Sequence, residues 1–448
     1  MRRWLPLIDA LYVAALMGFV LVGIPIVPFH GDEPMQIYMS GDFETAFVDG
    51  NSATLTQGPP YFIDDNNQLR ILNGSVQRYL VGLARTVIGI GRDQLPPRPG
   101  WDWGLDYARN VETGHRPGDP LLFTGRAVSA GLLALSVPLM FALGWQIGGR
   151  QTAYLAAGLY ALHPIVLLNG RRAVQEGAML FFGLLFVLTS AVIARRQTER
   201  RRSTWLWPLL ALTGALAIAS KHNTLVFVGG GLSWIVLASL FQPARWRRLA
   251  VNALACALTL AVSVAGFLAL SPALWSDPPA RLSDLLAVRA ELLDLQVRNH
   301  ANGPTTVGER LGSLLTQPFL TPPQYFEAPA WAGYEPITAE IERYEASLWA
   351  GYPVGGWFGV LLTGAAVVGA FGLWVRPWWP QSRCWIAVGL WAWALITSAS
   401  LLVNPLDWQR YSLPLIPPAV LFAASGLTLV IAQVMLRWER VRSATAGA

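Results

Sequence analysis

Charge is what this chain has least of. Only 13% of its 448 residues are Asp, Glu, Lys or Arg, while 53% are hydrophobic and the mean hydropathy is +0.40. A soluble domain needs about 25% charged residues to cover its surface, so the composition points to a polytopic membrane protein. Cysteine is nearly absent. Cys256 and Cys384 both fall inside apolar runs, which excludes a disulfide framework, a CxxC pair and a Cys/His zinc site. Lysine is rarer still, Lys221 being the only one. The net charge of +6 comes from arginines in short runs between apolar segments, a distribution that argues against nucleic acid as a partner. No internal repeat and no low-complexity tract interrupts the chain.

Long apolar runs are what it has instead. A hydrocarbon core of about 30 Å needs about 20 apolar residues per helix, and on that rule ten spans are expected, near 5–27, 121–146, 152–168, 177–194, 204–220, 224–241, 249–271, 353–375, 384–403 and 413–436. The opening "MRRWLPLIDALYVAALMGFVLVGIPIV" has the Arg pair of a signal peptide. Its apolar stretch is too long for one and no cleavage site follows, so it reads as a retained first helix. Arg2 and Arg3, Arg150, "RRQTERRR" (195–202), "RWRR" (245–248), Arg376 with Arg383, and "RWERVR" (437–442) all fall on one face when ten spans are threaded. That face carries sixteen arginines against only Glu199 and Glu439, which predicts that it is cytoplasmic, both termini included.

The expected organisation is a first helix (1–27), a first extracytoplasmic loop (28–120), a membrane bundle (121–271), a second extracytoplasmic loop (272–352), and C-terminal helices with a basic tail (353–448). Connections of this length are more than passive links. Leu69, Leu72, Val76, Leu80, Leu83 and Val87 in the first, and Leu282, Leu285, Leu286, Leu292 and Leu293 in the second, recur near helical spacing. Both segments read as helices lying on the membrane surface, or as small loop domains without lipid contact.

Ionisable residues gather at the outer ends of the spans: Asp32 and Glu33 in "HGDEPMQIY", "NGRRAVQE" (169–176), "KHN" (221–223) and "NPLDWQRY" (404–411). Charge held at a membrane boundary is costly and is usually paired or functional. Carboxylates there can act as general base, and Arg171, Arg172, Lys221 and Arg410 offer cations for a phosphate. His30, His222 and Asp407 stand nearby as supporting groups. Each also has a plainer reading. Asp32 and Glu33 can simply end a helix in water, Arg171 and Arg172 can anchor to phospholipid, Glu176 can cap a helix N-terminus, and Arg410 can pair with Asp407 three residues earlier. His30, Asp32 and Glu33 form a weak candidate set for a divalent cation.

These motifs resemble GT-C class membrane glycosyltransferases, the protein O-mannosyltransferase and aminoarabinose transferase group. The resemblance rests on the acidic pair after the first helix, on "RRAVQEGAMLFFGLLF", on "SPALWSDPPARLSDLL" and on "DWQRYSLPLIPPAVL". It implies an all-α fold with eleven to thirteen membrane helices, and a polyprenyl-phosphate sugar as donor. The acceptor would be a hydroxyl or amine of a protein, glycan or lipid on the extracytoplasmic face of the cell membrane. It makes Asp32 the catalytic base with Glu33 beside it and Glu176 the second acid, and it puts Lys221 and Arg410 at the lipid phosphate. No cofactor is required by this chemistry, although oligosaccharyltransferases of the class use a metal and the sequence leaves that point open. The "HPP" pattern of the eukaryotic mannosyltransferases is missing, "RILNGSVQRYL" standing in its place. The rival function is a transporter or flippase of lipid-linked sugars, which would place charges near the bilayer midplane.

Overall fold

The computed structural model describes residues 4–56, 58–61, 65–98, 100–299, 306–375 and 384–446. Among them there are helices and no strand. Seven helical runs are long and apolar enough to cross a membrane: Leu5–Ile26, Asp119–Gly148, Glu176–Thr198, His222–Phe241, Arg245–Ala269, Cys384–Val403 and Gln409–Arg440. The chain is a multi-pass α-helical membrane protein. Arg2, Arg3, Arg376 and Arg383, used above for sidedness, lie outside the described residues.

Three of the ten expected spans are not uninterrupted helices of full length. The third is a pair, Arg150–Ala161 and Pro164–Arg171, bent by 55°. The break follows from Pro164, which has no N–H to donate and starts a new helix while His163 takes an extended conformation. The fifth and eighth are Leu206–Ser220 and Gly356–Gly372, of 15 and 17 residues. At 1.5 Å per residue such helices cover roughly 22 to 26 Å, short of a full hydrocarbon core.

We label the principal helices α1 (Leu5–Val22), α2 (Asp32–Tyr38), α3 (Asp65–Leu72), α4 (Ser75–Val87), α5 (Asp119–Gly148), α6 (Arg150–Ala161), α7 (Pro164–Arg171), α8 (Glu176–Thr198) and α9 (Leu206–Ser220). They continue as α10 (Leu225–Ala238), α11 (Arg245–Ala269), α12 (Pro278–Asn299), α13 (Val307–Thr316), α14 (Glu335–Glu345), α15 (Gly356–Gly372), α16 (Cys384–Val403) and α17 (Ile416–Ala446). Between helices that are apolar all round, packing depends on how closely backbones approach. A Cβ on Gly369 of α15 would lie 1.9 Å from Phe422 O of α17, and one on Gly426 would lie 1.9 Å from Ala365 O. The same device joins α8 to α5, where Gly177 abuts Ser129 O.

The first long loop is folded on itself by its own ion pairs. Arg70 holds the Asp42 carboxylate through three hydrogen bonds of 2.8 to 3.1 Å, and buried Arg85 reaches Ser40, Ile90 O and Glu44. Gly74, between α3 and α4, is pressed against the backbone of Ser220 at the end of α9. The expected leucine stripe of this loop is therefore divided. Leu69 and Leu72 line a cavity, Val76 is buried, and Leu83 and Val87 are exposed. In the second long loop, α12 turns Leu282, Leu285, Leu286 and Leu292 toward that same cavity, so its stripe is a protein wall as well as an apolar face.

Candidate active site

The cavity has a volume of about 700 Å³. Its apolar part is built from α3, α9, α11 and α12, including Leu69, Leu72, Ile218, Val264, Phe267 and Leu285. Its polar part brings together Asp32, Glu176, Lys221, His222 and Arg410 from four separate turns, joined by Gln36, Asn73, Gln175, Arg289 and Tyr411.

Asp32 and Glu33 are neighbours in sequence with opposite environments, because successive helical residues point about 100° apart. Glu33 is fully buried and accepts from Arg126 Nε and Nη2 at 2.8 Å each, from the Ala173 N–H at 2.8 Å and from the His30 N–H at 3.0 Å. Four donors satisfy the carboxylate. Burial raises its pKa, but Arg126 and the backbone donor outweigh that and hold it below the usual range. Glu33 thus fastens α2 to α5 and to the turn before α8, and does not reach the cavity.

Asp32 has a side chain 48% exposed. Its carboxylate is hydrogen-bonded by Arg410 Nη1, and its N–H donates to His30 Nδ1 at 3.1 Å. With Nδ1 accepting, the proton of His30 sits on Nε2, 2.8 Å from Glu327 Oε2. Glu327 Oε1 lies in turn 3.0 Å from Arg410 Nε. Burial raises the Asp32 pKa, and Arg410 more than cancels this, so the group is held below the ordinary carboxylate range. Arg410 pairs with Asp32 and Glu327. Asp407 lies away from the main cavity, beside Arg310 and Trp408. Across the polar end, Glu176 Oε1 accepts from Lys221 Nζ at 2.5 Å, and His222 stands edge-on to Phe267.

The structure places Arg171 and Arg172 outside the lining of the cavity. Arg171 is fully buried and donates to Val20 O, Phe19 O and Trp349 O at 2.8, 2.7 and 2.5 Å. It satisfies the carbonyls that the end of α1 leaves without intrahelical partners, and its guanidinium fills the space where a Cβ on Gly23 would stand. Arg172 donates to Pro28 O and Tyr325 O at 3.2 and 2.7 Å, tying the segment before His30 to the second loop. Both are engaged by backbone carbonyls and not by groups of the cavity.

His30, Asp32 and Glu33 have separate partners. Glu33 is committed to Arg126 and Ala173, and Asp32 to Arg410, so with His30 they do not present three donors to one point. Among the described residues no group of three His, Cys, Asp or Glu is arranged to hold a metal ion.

Two functional candidates were missed. Glu327, from the irregular stretch after α13, gives no local signal. Arg289 of α12 does: it lies seven residues after Leu282 and four after Leu285, on the cavity face of the helix. Its Nη2 is 3.3 Å from the Tyr411 hydroxyl. Among the described residues it pairs with no carboxylate, whereas Lys221 and Arg410 do.

Residues 107–275, which include Glu176 and Lys221 but neither Asp32 nor Arg410, match the family described as dolichyl-phosphate-mannose-protein mannosyltransferase. No curated protein matches the chain by sequence. Among solved structures, the chain is similar to the archaeal oligosaccharyltransferase AglB from Archaeoglobus fulgidus in complex with an inhibitory peptide and a dolichol-phosphate. The TM-score is 0.52 at 12% identity, over 97% of this chain and 52% of that one. The apo form of the Archaeoglobus fulgidus oligosaccharyltransferase matches with a TM-score of 0.53 at 13% identity and the same coverage. At this identity the likeness is one of fold, and the chain spans about half the length of these solved relatives. One segment of the chain is thus similar in sequence to a mannosyltransferase family, and the chain as a whole shares a fold with oligosaccharyltransferases.

Proposed function

We propose that the protein transfers a sugar from a polyprenyl-phosphate donor to an acceptor hydroxyl or amine, with inversion, on the extracytoplasmic face of the membrane. One observation carries the proposal. A single cavity joins a solvent-reachable carboxylate, Asp32, to three cations, Lys221, Arg289 and Arg410, and continues into an apolar wall. A lipid phosphate has the matching chemistry, with its charge against the cations and its chain along the leucines of α3 and α12. AglB has been solved with dolichol-phosphate, which supports a donor of this class.

In the proposed step the acceptor oxygen or nitrogen forms a bond to the anomeric carbon as the bond from that carbon to the phosphate oxygen breaks. The electron pair leaves with the phosphate, where Lys221 and Arg289 stabilise the anion. The acceptor proton passes to Asp32. Arg410 keeps Asp32 ionised and oriented, and Glu327 with His30 fixes Arg410. Glu176 positions the Lys221 ammonium. A single displacement inverts the anomeric centre.

The test supplies purified protein with labelled polyprenyl-phosphate sugars and a panel of hydroxyl- and amine-bearing acceptors, with and without chelator. Release of polyprenyl phosphate coupled to acceptor labelling is expected. Donor binding without turnover on any acceptor, together with donor movement across vesicle bilayers, would favour a flippase and overturn the assignment.

A further inference from the structure

Gln36, Asn73 and Gln175 line the main cavity and take no part in the step proposed for it. They are joined to one another. Asn73 Nδ2 donates to Leu69 O at 3.0 Å, and because a backbone carbonyl only accepts, this fixes the orientation of the Asn73 amide. Asn73 Oδ1 therefore accepts, and both glutamines turn their NH2 groups toward it, Gln36 Nε2 at 3.0 Å and Gln175 Nε2 at 3.3 Å. Gln36 is left with its carbonyl oxygen to offer. The residue is only 7% exposed, and among the described residues its Oε1 has no hydrogen-bond partner. A buried acceptor without a donor is costly, and its partner is then to be sought outside the chain.

Position narrows what that partner is. Gln36 follows Asp32 by four residues on α2, so the two stand one turn apart on the same face of the helix, and both line the cavity. Gln175 immediately precedes Glu176, which holds Lys221. The three amides thus run from the carboxylate to the Glu176–Lys221 pair. A sugar whose anomeric carbon lies between Asp32 and a phosphate at Lys221 sets the rest of its ring against this wall. An unpaired carbonyl oxygen calls for a neutral O–H or N–H there.

We propose that Gln36 is a specificity-determining residue, its Oε1 accepting a hydrogen bond from one hydroxyl of the donor sugar while Asn73 holds the amide in the orientation that this contact needs. This role rests on the glycosyl-transfer reading of the main cavity. The lipid phosphate is held by Lys221 and Arg289, so Gln36 distinguishes among sugars and is indifferent to the lipid. A donor without that hydroxyl leaves Oε1 unpaired and binds less tightly.

The probes are dolichyl-phosphate mannose, the donor named in the family description, its monodeoxy analogues, and dolichyl phosphate, each titrated into the detergent-purified full chain. Gln36→Leu and Gln36→Met keep much of the side-chain volume and remove the carbonyl, and in both Asn73 Oδ1 retains Gln175 as its donor. Wild type should bind the mannose donor about ten-fold more tightly than one of the deoxy analogues, the effect of one hydrogen bond to a buried acceptor. The variants should bind that pair alike and should hold dolichyl phosphate as tightly as wild type does. Equal binding of every analogue by wild type overturns the role of Gln36, whether or not the variants fold. Discrimination that survives in a folded variant overturns it too, as does a loss of dolichyl-phosphate affinity equal to the loss for the mannose donor. Failure of wild type to bind both dolichyl phosphate and the mannose donor overturns the donor reading of the cavity instead.

Discussion

Arg126 grips Glu33 through two parallel hydrogen bonds of 2.8 Å, Nε to Oε1 and Nη2 to Oε2, and this leaves Asp32 as the member of the acidic pair that faces the cavity. The two positions should therefore fail differently. Asp32→Asn should abolish transfer while folding and donor binding persist. Glu33→Gln leaves a buried guanidinium without its counter-charge, at a cost of about 3–5 kcal/mol, and should lower the unfolding temperature sharply. Thermal unfolding in detergent alongside a turnover assay separates the two. Full activity of Asp32→Asn would remove Asp32 as the base.

The pH profile follows from the same geometry. Asp32 is held below the ordinary carboxylate range, burial being outweighed by Arg410. A base acts in its ionised form, so activity that depends on it is present above its folded pKa and falls only as pH drops through that value. Stability behaves alike, because Glu33 and Glu327 are also held low. Burial is outweighed by Arg126 for Glu33 and by Arg410 with His30 for Glu327. The stability each contributes is present above the unfolded glutamate value of about 4.3 and is lost as pH falls toward the folded pKa. Turnover between pH 7 and about 5 should show no acid limb attributable to these carboxylates. An Asp32-dependent limb near pH 6, absent in a variant with a different base, would contradict the low-pKa arrangement.

Arg289 is expected to act on the donor and not on folding. It is half-buried, among the described residues hydrogen-bonded to the Tyr411 hydroxyl and paired with no carboxylate, and carried on a loop helix. Arg289→Gln should weaken polyprenyl-phosphate binding by about ten- to a hundred-fold, the range for a hydrogen bond to a charged group, and should leave the unfolding temperature within a few degrees of wild type. Donor titration followed by intrinsic tryptophan fluorescence measures the first effect. Unchanged affinity would take Arg289 out of the phosphate site.

How far the sequence could be read depended on whether the signal was local. Apolar runs located the helices, and even the bent third span announced its break through His163-Pro164. The depth of charged residues brought Asp32, Glu176, Lys221 and Arg410 together, because a turn between two spans has few places to be. Side-chain direction was not legible. Arg171 and Arg172 carry the charge of a phosphate clamp at a suitable depth, yet both point into backbone carbonyls that only the tertiary fold brings to them. Glu327 meets His30 and Arg410 across 297 and 83 residues of chain, and no spacing rule reports such a meeting. Arg289 was within reach of pattern analysis, since its spacing from Leu282 and Leu285 sets it on the leucine face instead of opposite it.

Arg171 gives the sharpest contrast between the two readings of one residue. As a phosphate ligand it would be dispensable for folding, and its loss would appear only in donor affinity. In the structure its fully buried guanidinium donates to Phe19 O, Val20 O and Trp349 O and meets the Tyr344 hydroxyl at 3.2 Å. Arg171→Met keeps much of the side-chain volume and removes every donor, leaving the last carbonyls of α1 unsatisfied. Each unsatisfied buried group costs about 1–3 kcal/mol, so the variant should be destabilised by several kcal/mol and recovered from membranes in low yield. The fraction that folds should bind polyprenyl phosphate as tightly as wild type, because the cavity cations Lys221, Arg289 and Arg410 are untouched. Normal yield and thermal stability combined with a ten-fold loss of donor affinity would restore the phosphate role to Arg171.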